Sequence, residues 1–498
     1  MIFDRVSAMN TNVPYSLIFP PGSCAEAPTV RPARLAVILL VCAWMAGCAI
    51  GPKTRELPPP APQAPPVSVE KHVFDVPETA TIVGEVASVE IREGDTLPDI
   101  ARHYGLGFQE IADANPEVDP WVPHGNRVLL PLQFTLPEAP RTGVTLNLAA
   151  YRLFYFPPEA KGGKVLTYPV GIGKEGRSTP MGLMSVVRKA EFPTWYPTEN
   201  IRRDHARKGD PLPAAVPPGP DNPLGDYALY LSQSRYLVHG TNKPYSIGLR
   251  ASNGCIRLYP EDISVLFPQI PRGTPVRIVN QPYLIGRRDG QVFLEVHRPF
   301  EELDPGRLRH ELYGRLKRIE KKEQVALDWQ RVETILAEAR GIPLPIADPG
   351  PAQAEVVAPA KVVPRPRSWF GQPPVLPERE EKHTQEGSAG EGQDEGKEQS
   401  PQPPAWFVQV AEMESAVPAK KLAAILRHQG PPIPARAVPT HRGYEILAGP
   451  FRDATEAEAV ARRIRIDLEL DAKVRTPREA SKPKVRLRNV AAPSAAPA

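Results

Sequence analysis

A chain of 498 residues with 63 Pro and 36 Gly is too long and too proline-rich for one compact domain, so several units on linkers are expected. The net charge of +4 is small for that length and argues against a strong nucleic-acid-binding or membrane-surface field. The four cysteines, Cys24, Cys42, Cys48 and Cys255, show no disulfide-framework spacing.

In chain order, residues 1–47 read as a leader. An apolar run over 35–46 follows Arg31 and Arg34, is too short to span a bilayer, and ends at Met45-Ala46-Gly47-Cys48, the pattern of a secretory signal. Residues 1–29 have no signal character and fit an over-long gene start. The small-small-Cys ending resembles a bacterial lipoprotein cleavage site, which implies Cys48 as the lipidated first residue and, with Ala49 after it, sorting to a Gram-negative outer membrane. A plain signal peptide or a short anchor is the alternative. Residues 48–86, with the run from Pro58 to Pro66, read as an extended proline-rich linker.

An ordered unit is expected over 87–133. Residues 89–91 alternate like a strand, Gly94-Asp95-Thr96-Leu97 turns into a helix carrying Ile100, Ala101 and Tyr104, and a second helix carries Ile111, Ala112 and Ala114 before Asn115-Pro116. A strand over 127–130 closes the unit. This βααβ pattern, with G-D-T-L and A-N-P, resembles a LysM module and implies binding to N-acetylglucosamine-containing glycan; a packing domain without sugar affinity is the alternative.

Residues 142–290 read as mostly β, with strands near 143–148, 152–156, 165–170, 184–191, 227–231, 236–238, 255–258 and 275–279, and a short helix at 262–267. A helical extension follows over 291–344. Leu308, Leu312, Leu316 and Ile319 stand at 3/4 spacing within a charged tract over 307–340, expected as one long amphipathic helix, with a coiled-coil seam as the alternative. Residues 345–404, rich in Pro, Glu and Gly, are expected to be a disordered linker with a reach of roughly 45 Å. Residues 405–478 read as βαββαβ. Their W-F-V-Q-V and G-Y-E-I-L-A-G-P-F blocks resemble a SPOR domain, implying an α+β ferredoxin-like fold that binds septal peptidoglycan. A basic, Ala-Pro tail fills 479–498.

The chemistry gathers between residues 236 and 258. A hydrophobic run delivers His239 at a strand end, a polar loop follows, and the loop closes on Ser252-Asn253-Gly254-Cys255. A thiol attacks as thiolate, so a catalytic cysteine needs a base, and a histidine 16 positions away on an adjacent strand can supply one. Gly254 allows a sharp turn, and free backbone N–H groups there could form an oxyanion hole. From spacing alone, an inert buried cysteine and a hydrogen-bonded structural histidine remain open. A zinc site is weaker, because no C-x-x-C partner exists.

The run H-G-T-N-K-P-Y-S-I-G-L-R-A-S-N-G-C-I-R-L resembles the active-site signature of the YkuD-type L,D-transpeptidases. Likeness extends over about 144–284, through Leu146-Asn147-Leu148, Tyr168-Pro169-Val170-Gly171-Ile172-Gly173, Thr179-Pro180-Met181-Gly182, Pro193-Thr194-Trp195 and the run 217–225. Many members carry His where this chain has Asn253, which leaves His239 as the base. The resemblance implies Cys255 as nucleophile, His239 as base, the Gly240 carbonyl orienting the imidazole, and Gly254 and the Cys255 N–H at the oxyanion hole. Ser252, Asn253 and Arg257 then stand where substrate-positioning residues do, with a structural ion-pair partner as the other reading of Arg257. No cofactor, no metal and no nucleic acid are implied. The implied partners are peptidoglycan stem peptides and glycan strands, with an outer-membrane protein as a further acceptor, and the membrane through the lipid on Cys48. A hydrolase on the same fold and a non-enzymatic wall-binding scaffold are the competing functions. The expectation is a multidomain periplasmic chain: a mostly-β L,D-transpeptidase catalytic domain, a LysM module, a SPOR domain and long disordered linkers.

Overall fold

The computed structural model describes residues 72–161, 163–207, 209–348, 360–366, 368–369, 406–429, 432–468 and 470–476. The leader at 1–47, Cys48 with its expected lipid, the run from Pro58 to Pro66 and the tail at 479–498 lie outside the described residues. No helix among the described residues is long and apolar enough to cross a membrane.

Two strands, Val73–Asp75 (β1) and Ile82–Gly84 (β2), fall in the stretch read as linker over 48–86. Each is held by a partner far along the chain, so local proline content could not reveal them. Ala87–Glu90 (β3), Leu97–His103 (α1), Phe108–Ala114 (α2) and Arg127–Leu130 (β4) then form the expected βααβ unit, followed by Gln133–Thr135 (β5). Thr96 caps α1 by accepting the Asp99 N–H at 3.4 Å. Asn115 explains the A-N-P block. Its Nδ2 donates to the Ile111 and Leu129 carbonyls at 2.8 and 2.9 Å while its Oδ1 accepts the Leu129 N–H at 2.8 Å, tying the end of α2 to β4. β3 pairs antiparallel with β4, and β2 with β5. Leu97, Ile100, Leu106, Ile111, Val128 and Leu130 are buried between helices and sheet.

The catalytic region is built from Gly143–Asn147 (β6), Arg152–Phe156 (β7), Lys164–Pro169 (β8), Ile172–Gly173 (β9), Gly182–Glu191 (β10), Glu199–Arg207 (α3), Tyr227–Leu231 (β11), Leu237–His239 (β12), Arg250–Ser252 (β13), Ile256–Arg257 (β14), Pro260–Gln269 (α4) and Pro275–Val279 (β15). Nine strands form one sheet in the order β1-β8-β7-β6-β15-β10-β11-β12-β14, so β1 extends the catalytic sheet through β8. Val144, Leu146, Leu153, Tyr155, Val186, Leu229, Val238 and Ile256 send buried side chains into a core closed by Ile263, Leu266 and Phe267 of α4. The helix α3 was not foreseen: it buries no side chain, so no apolar periodicity announces it.

At the junction of the two units, Arg152 is 1% exposed and its guanidinium donates to both oxygens of Glu110 on α2, at 2.5 and 3.0 Å. Its remaining donors reach the Gly105 carbonyl at 3.1 Å and Thr167 Oγ1 at 3.3 Å, and its centre lies 4.0 Å from the Phe134 ring.

Beyond β15, Tyr283–Arg288 (β16) and Gln291–Val296 (β17) form a hairpin turned at Asp289 and Gly290, so the boundary expected at 290 falls at its tip. The tract over 307–340 is two helices rather than one, Pro305–Glu323 (α5) and Trp329–Glu338 (α6). Gln324 turns left-handed at φ 53°, Leu327 is buried and bridges Ala347, and Asp328 caps α6 by accepting the Arg331 N–H at 2.9 Å. Burying Leu327 outweighs continuing the helix. Leu344–Pro345 (β18) pairs with β17.

The expected linker over 345–404 also contains order. Lys361–Val363 (β19) adds to the sheet beside β3, in parallel, with Lys361 opposite Ala87 and Val363 opposite Val89. Trp369 is buried behind it, its Nε1 donating to Asp95 Oδ1 at 2.8 Å, and Arg365 pairs with the same carboxylate.

The C-terminal unit runs Trp406–Met413 (β20), Ala416–Arg427 (α7), Ala435–Thr440 (β21), Gly443–Phe451 (β22), Ala454–Leu468 (α8) and Lys473–Arg475 (β23), the expected βαββαβ, with sheet order β21-β22-β20-β23. Val408, Val410, Leu422, Leu426, Ile446 and Ile464 lie in its core. Just past α7, His428 reaches Asp99 at 3.1 Å, and Lys421 reaches Asp119 at 2.9 Å.

Candidate active site

The strand register places the two expected reactive residues on neighbouring strands. β12 pairs in parallel with β14, Val238 opposite Ile256 and His239 opposite Arg257, so Cys255 lies one residue before the strand beside His239. His239 is 4% exposed, and its Nδ1 lies 2.6 Å from the Gly240 carbonyl. A carbonyl only accepts, so Nδ1 carries the hydrogen and the neutral ring keeps Nε2 as its basic atom. Burial, reinforced by the Arg257 charge, brings the imidazole down to about 3, against the smaller opposing pull of the Gly240 and Leu224 carbonyls. The ring is therefore neutral at physiological pH.

Cys255 is a free cysteine, half-buried, with its thiol donating to the Arg235 carbonyl at 3.4 Å. Burial pushes the thiol up, and the Leu237 N–H and the Arg257 charge pull it back only in part. Arg257 is itself lowered to about 10 by burial, against the attraction of the Cys255 sulfur, and its Nη1 donates to Ser246 Oγ at 3.3 Å. Its charge thus bears on both His239 and Cys255. Arg235 sits at φ 95°, a left-handed value uncommon for a residue with a Cβ. It was missed in the sequence, where a turn carbonyl leaves no signature.

The turn 252–255 shows what each expected residue does. Ser252 is buried; its Oγ donates to the Cys255 carbonyl at 2.5 Å and accepts the Gly254 N–H at 3.0 Å. The Gly254 N–H is therefore taken and is not an oxyanion donor, which corrects that part of the expectation. Glycine is required there for another reason: φ is +107°, and a Cβ would stand 2.8 Å from Tyr236 Cε1. Asn253 is exposed and accepts from Arg177 Nη1 at 2.8 Å, while the other end of that guanidinium pairs with Asp204 on α3. Asn253 thus tethers α3 to the turn. Among the described residues no group of three or more His, Cys, Asp or Glu side chains could hold a metal ion.

This arrangement of a neutral imidazole, a half-buried thiol and a tightly braced turn is equipped for acyl transfer through a thioester. The chain matches the L,D-transpeptidase catalytic domain over residues 141–278, the LysM domain over 89–120 and the SPOR domain over 402–476. It is 44% identical over 228 residues to the probable L,D-transpeptidase ErfK/SrfK of Escherichia coli K12, covering 45% of this chain and 73% of that protein. With the probable L,D-transpeptidase YcfS of the same strain it shares 44% identity over 233 residues, 45% of this chain and 72% of that one. With the putative L,D-transpeptidase YkuD of Bacillus subtilis 168 it shares 28% over 193 residues, 38% and 96%. Likeness at this level over nearly three quarters of the Escherichia coli proteins means that the chain belongs to the L,D-transpeptidase family.

Proposed function

We propose that Cys255 is the nucleophile and His239 its base in transferring a stem-peptide acyl group to an amine in the bacterial cell wall. The observation that supports this reading is the parallel pairing of β12 with β14, which puts His239 and Cys255 on adjacent strands, with the Gly240 carbonyl at Nδ1 leaving Nε2 as the basic atom. The Cys255 sulfur adds to the carbonyl carbon of the L-to-D bond between the third and fourth stem residues, and the carbonyl electron pair moves to oxygen. The thiol proton passes to His239 Nε2. Collapse breaks the C–N bond, the proton returns to the leaving D-alanine nitrogen, and a thioester remains. An acceptor amine then gives up its proton to His239 and takes the acyl group, freeing the thiol. Because burial disfavours both charged forms, the proton moves as attack develops rather than beforehand. Arg257 favours the thiolate-like sulfur of the transition state.

LysM and SPOR domains bind peptidoglycan, so two modules hold the enzyme on its polymeric substrate. A lipid on Cys48 and a periplasmic site at the outer membrane follow from the leader sequence alone. The acceptor is another stem peptide, the lysine of an outer-membrane protein or a free D-amino acid.

The test is incubation of the full chain with purified tetrapeptide-stem muropeptides and each acceptor in turn, followed by mass analysis. The expected result is an adduct on Cys255 that has lost D-alanine and is consumed by one class of amine. Cys255→Ala should form none, and His239→Ala should react about 10²–10⁴-fold more slowly. Turnover by Cys255→Ala would overturn the assignment, and consumption of the adduct by water alone would make the enzyme a hydrolase.

A further inference from the structure

The carbonyl of Gly254 is not left to the turn that contains it. Thr179, 75 positions earlier and 4% exposed, donates its hydroxyl to that carbonyl at 3.0 Å. The same hydroxyl accepts the Gly173 N–H from β9 at 2.9 Å, so both its donor and an acceptor site are used and its direction is set. β9 in turn pairs with β13, Gly173 opposite Ser252, and Lys174 donates its N–H to the Ser252 carbonyl at 3.0 Å. The loop that returns Thr179 to this place packs tightly: a Cβ on Gly173 would meet the Arg177 carbonyl oxygen at 2.4 Å and the Thr179 nitrogen at 2.6 Å.

A peptide unit is planar and, here, trans, so its C=O and N–H point in opposite directions. Holding the Gly254 oxygen on the buried Thr179 therefore aims the next N–H, that of Cys255, the other way. Ser252 Oγ removes the neighbouring Gly254 N–H from use. Of the two N–H groups flanking Gly254, the turn thus leaves that of Cys255, the nucleophile's own residue, in a direction fixed by a hydroxyl outside the turn.

We propose that Thr179 is a positioning residue for the oxyanion hole: it locks the Gly254–Cys255 peptide plane so that the Cys255 N–H meets the oxygen that gains charge when the sulfur adds. The inference rests on Cys255 being the nucleophile. Thr179 touches no reacting atom and acts only through the plane it holds. The negative charge that forms on the substrate oxygen is met by a donor that needs no reorganisation during attack.

The test compares wild type, Thr179→Val, which keeps the shape and loses the hydroxyl, and Thr179→Ser, which keeps the hydroxyl, all in the full chain. Two rates are read at Cys255 by mass spectrometry. One is acylation by a tetrapeptide-stem muropeptide, which forms an oxyanion. The other is alkylation by iodoacetamide, a displacement at a saturated carbon that forms none. Thr179→Val should lower the maximal acylation rate about 10- to 100-fold, a fraction of what deleting an oxyanion donor costs, with half-saturation little changed. Alkylation should stay within about twofold, since thiol reactivity follows thiolate character and access. Thr179→Ser should recover most of the acylation rate. Wild-type acylation in Thr179→Val, or alkylation falling in parallel with acylation, would overturn the role. Persistent muropeptide acylation in Cys255→Ala would instead locate the failure in the nucleophile assignment, and would take this inference with it.

Discussion

Arg152 offers a direct measure of how firmly the LysM unit is joined to the catalytic sheet. Its guanidinium leaves the catalytic strand β7 and satisfies Glu110 on α2 through two bonds of 2.5 and 3.0 Å, with the arginine side chain 1% and the glutamate 9% exposed. Arg152→Ala would remove both bonds, those to Gly105 and Thr167, and the contact with Phe134. Glu110 would keep only the Gly107 N–H, at 2.6 Å. Breaking one partner of a buried pair costs about 3–5 kcal/mol, because the remaining charge is uncompensated, whereas replacing both with groups of similar volume is far milder. The chain has several domains, so the proper readout is local: hydrogen exchange of the amides in α2 and β7. The opening free energy of both should fall by about 3–5 kcal/mol in Arg152→Ala, and the Arg152→Met/Glu110→Gln double variant should recover more than half of it. A loss under about 1 kcal/mol, typical of a solvent-exposed pair, would refute the reasoning. A loss confined to β7 would show that the two units are not coupled through this contact.

The remaining expectations concern the site and the returning segment. The Cys255 thiol is held up and His239 held down, so iodoacetamide alkylation should rise about tenfold per pH unit from roughly pH 6 to 8, as the thiolate fraction grows toward a raised value. A flat rate across that range would mean a preformed thiolate–imidazolium pair. Gly254→Ala forces a Cβ into φ +107° and against Tyr236, a strain of about 1–3 kcal/mol, and should cut acylation about 100-fold through displacement of the turn; a variant that acylates normally would show that the turn tolerates the shift. Trp369→Ala should loosen the segment 361–369 by about 3–5 kcal/mol and open it to proteolysis, whereas an unchanged cleavage rate would show that Trp369 does not hold it.

The parts of this molecule legible in the sequence are those whose chemistry or periodicity is local. His239 at a strand end and Cys255 after glycine are reactive types in a recognisable run, and the alternating strands around them bury one side against α4. Ser252 was singled out by position, but its bond to the Gly254 N–H, which removes Gly254 from the oxyanion hole, depends on the folded turn. Thr179 looked like part of a matching block because its partner is 75 positions away. The break between α5 and α6 was hidden for a related reason: the charged tract continues past it, and the burial of Leu327 with its bridge to Ala347 decides otherwise. The segment Lys361–Val363 has too few residues to read as a strand without β3 beside it.

That pairing of β19 with β3 has a consequence for the order in which the molecule is made. Lys361 meets Ala87 from 274 positions further along the chain, a span that includes the whole catalytic region. At about 5–20 residues per second, synthesis leaves roughly 15–55 s between the appearance of the two strands. Throughout that interval β3 is an edge, with backbone donors and acceptors open to any passing extended chain. The LysM sheet is thus begun early and finished late, and the segment that closes it arrives only after the catalytic strands have been produced. Folding of the N-terminal unit is therefore incomplete until most of the enzyme exists, and truncated chains ending before Lys361 would present a sticky strand edge that the full-length protein conceals.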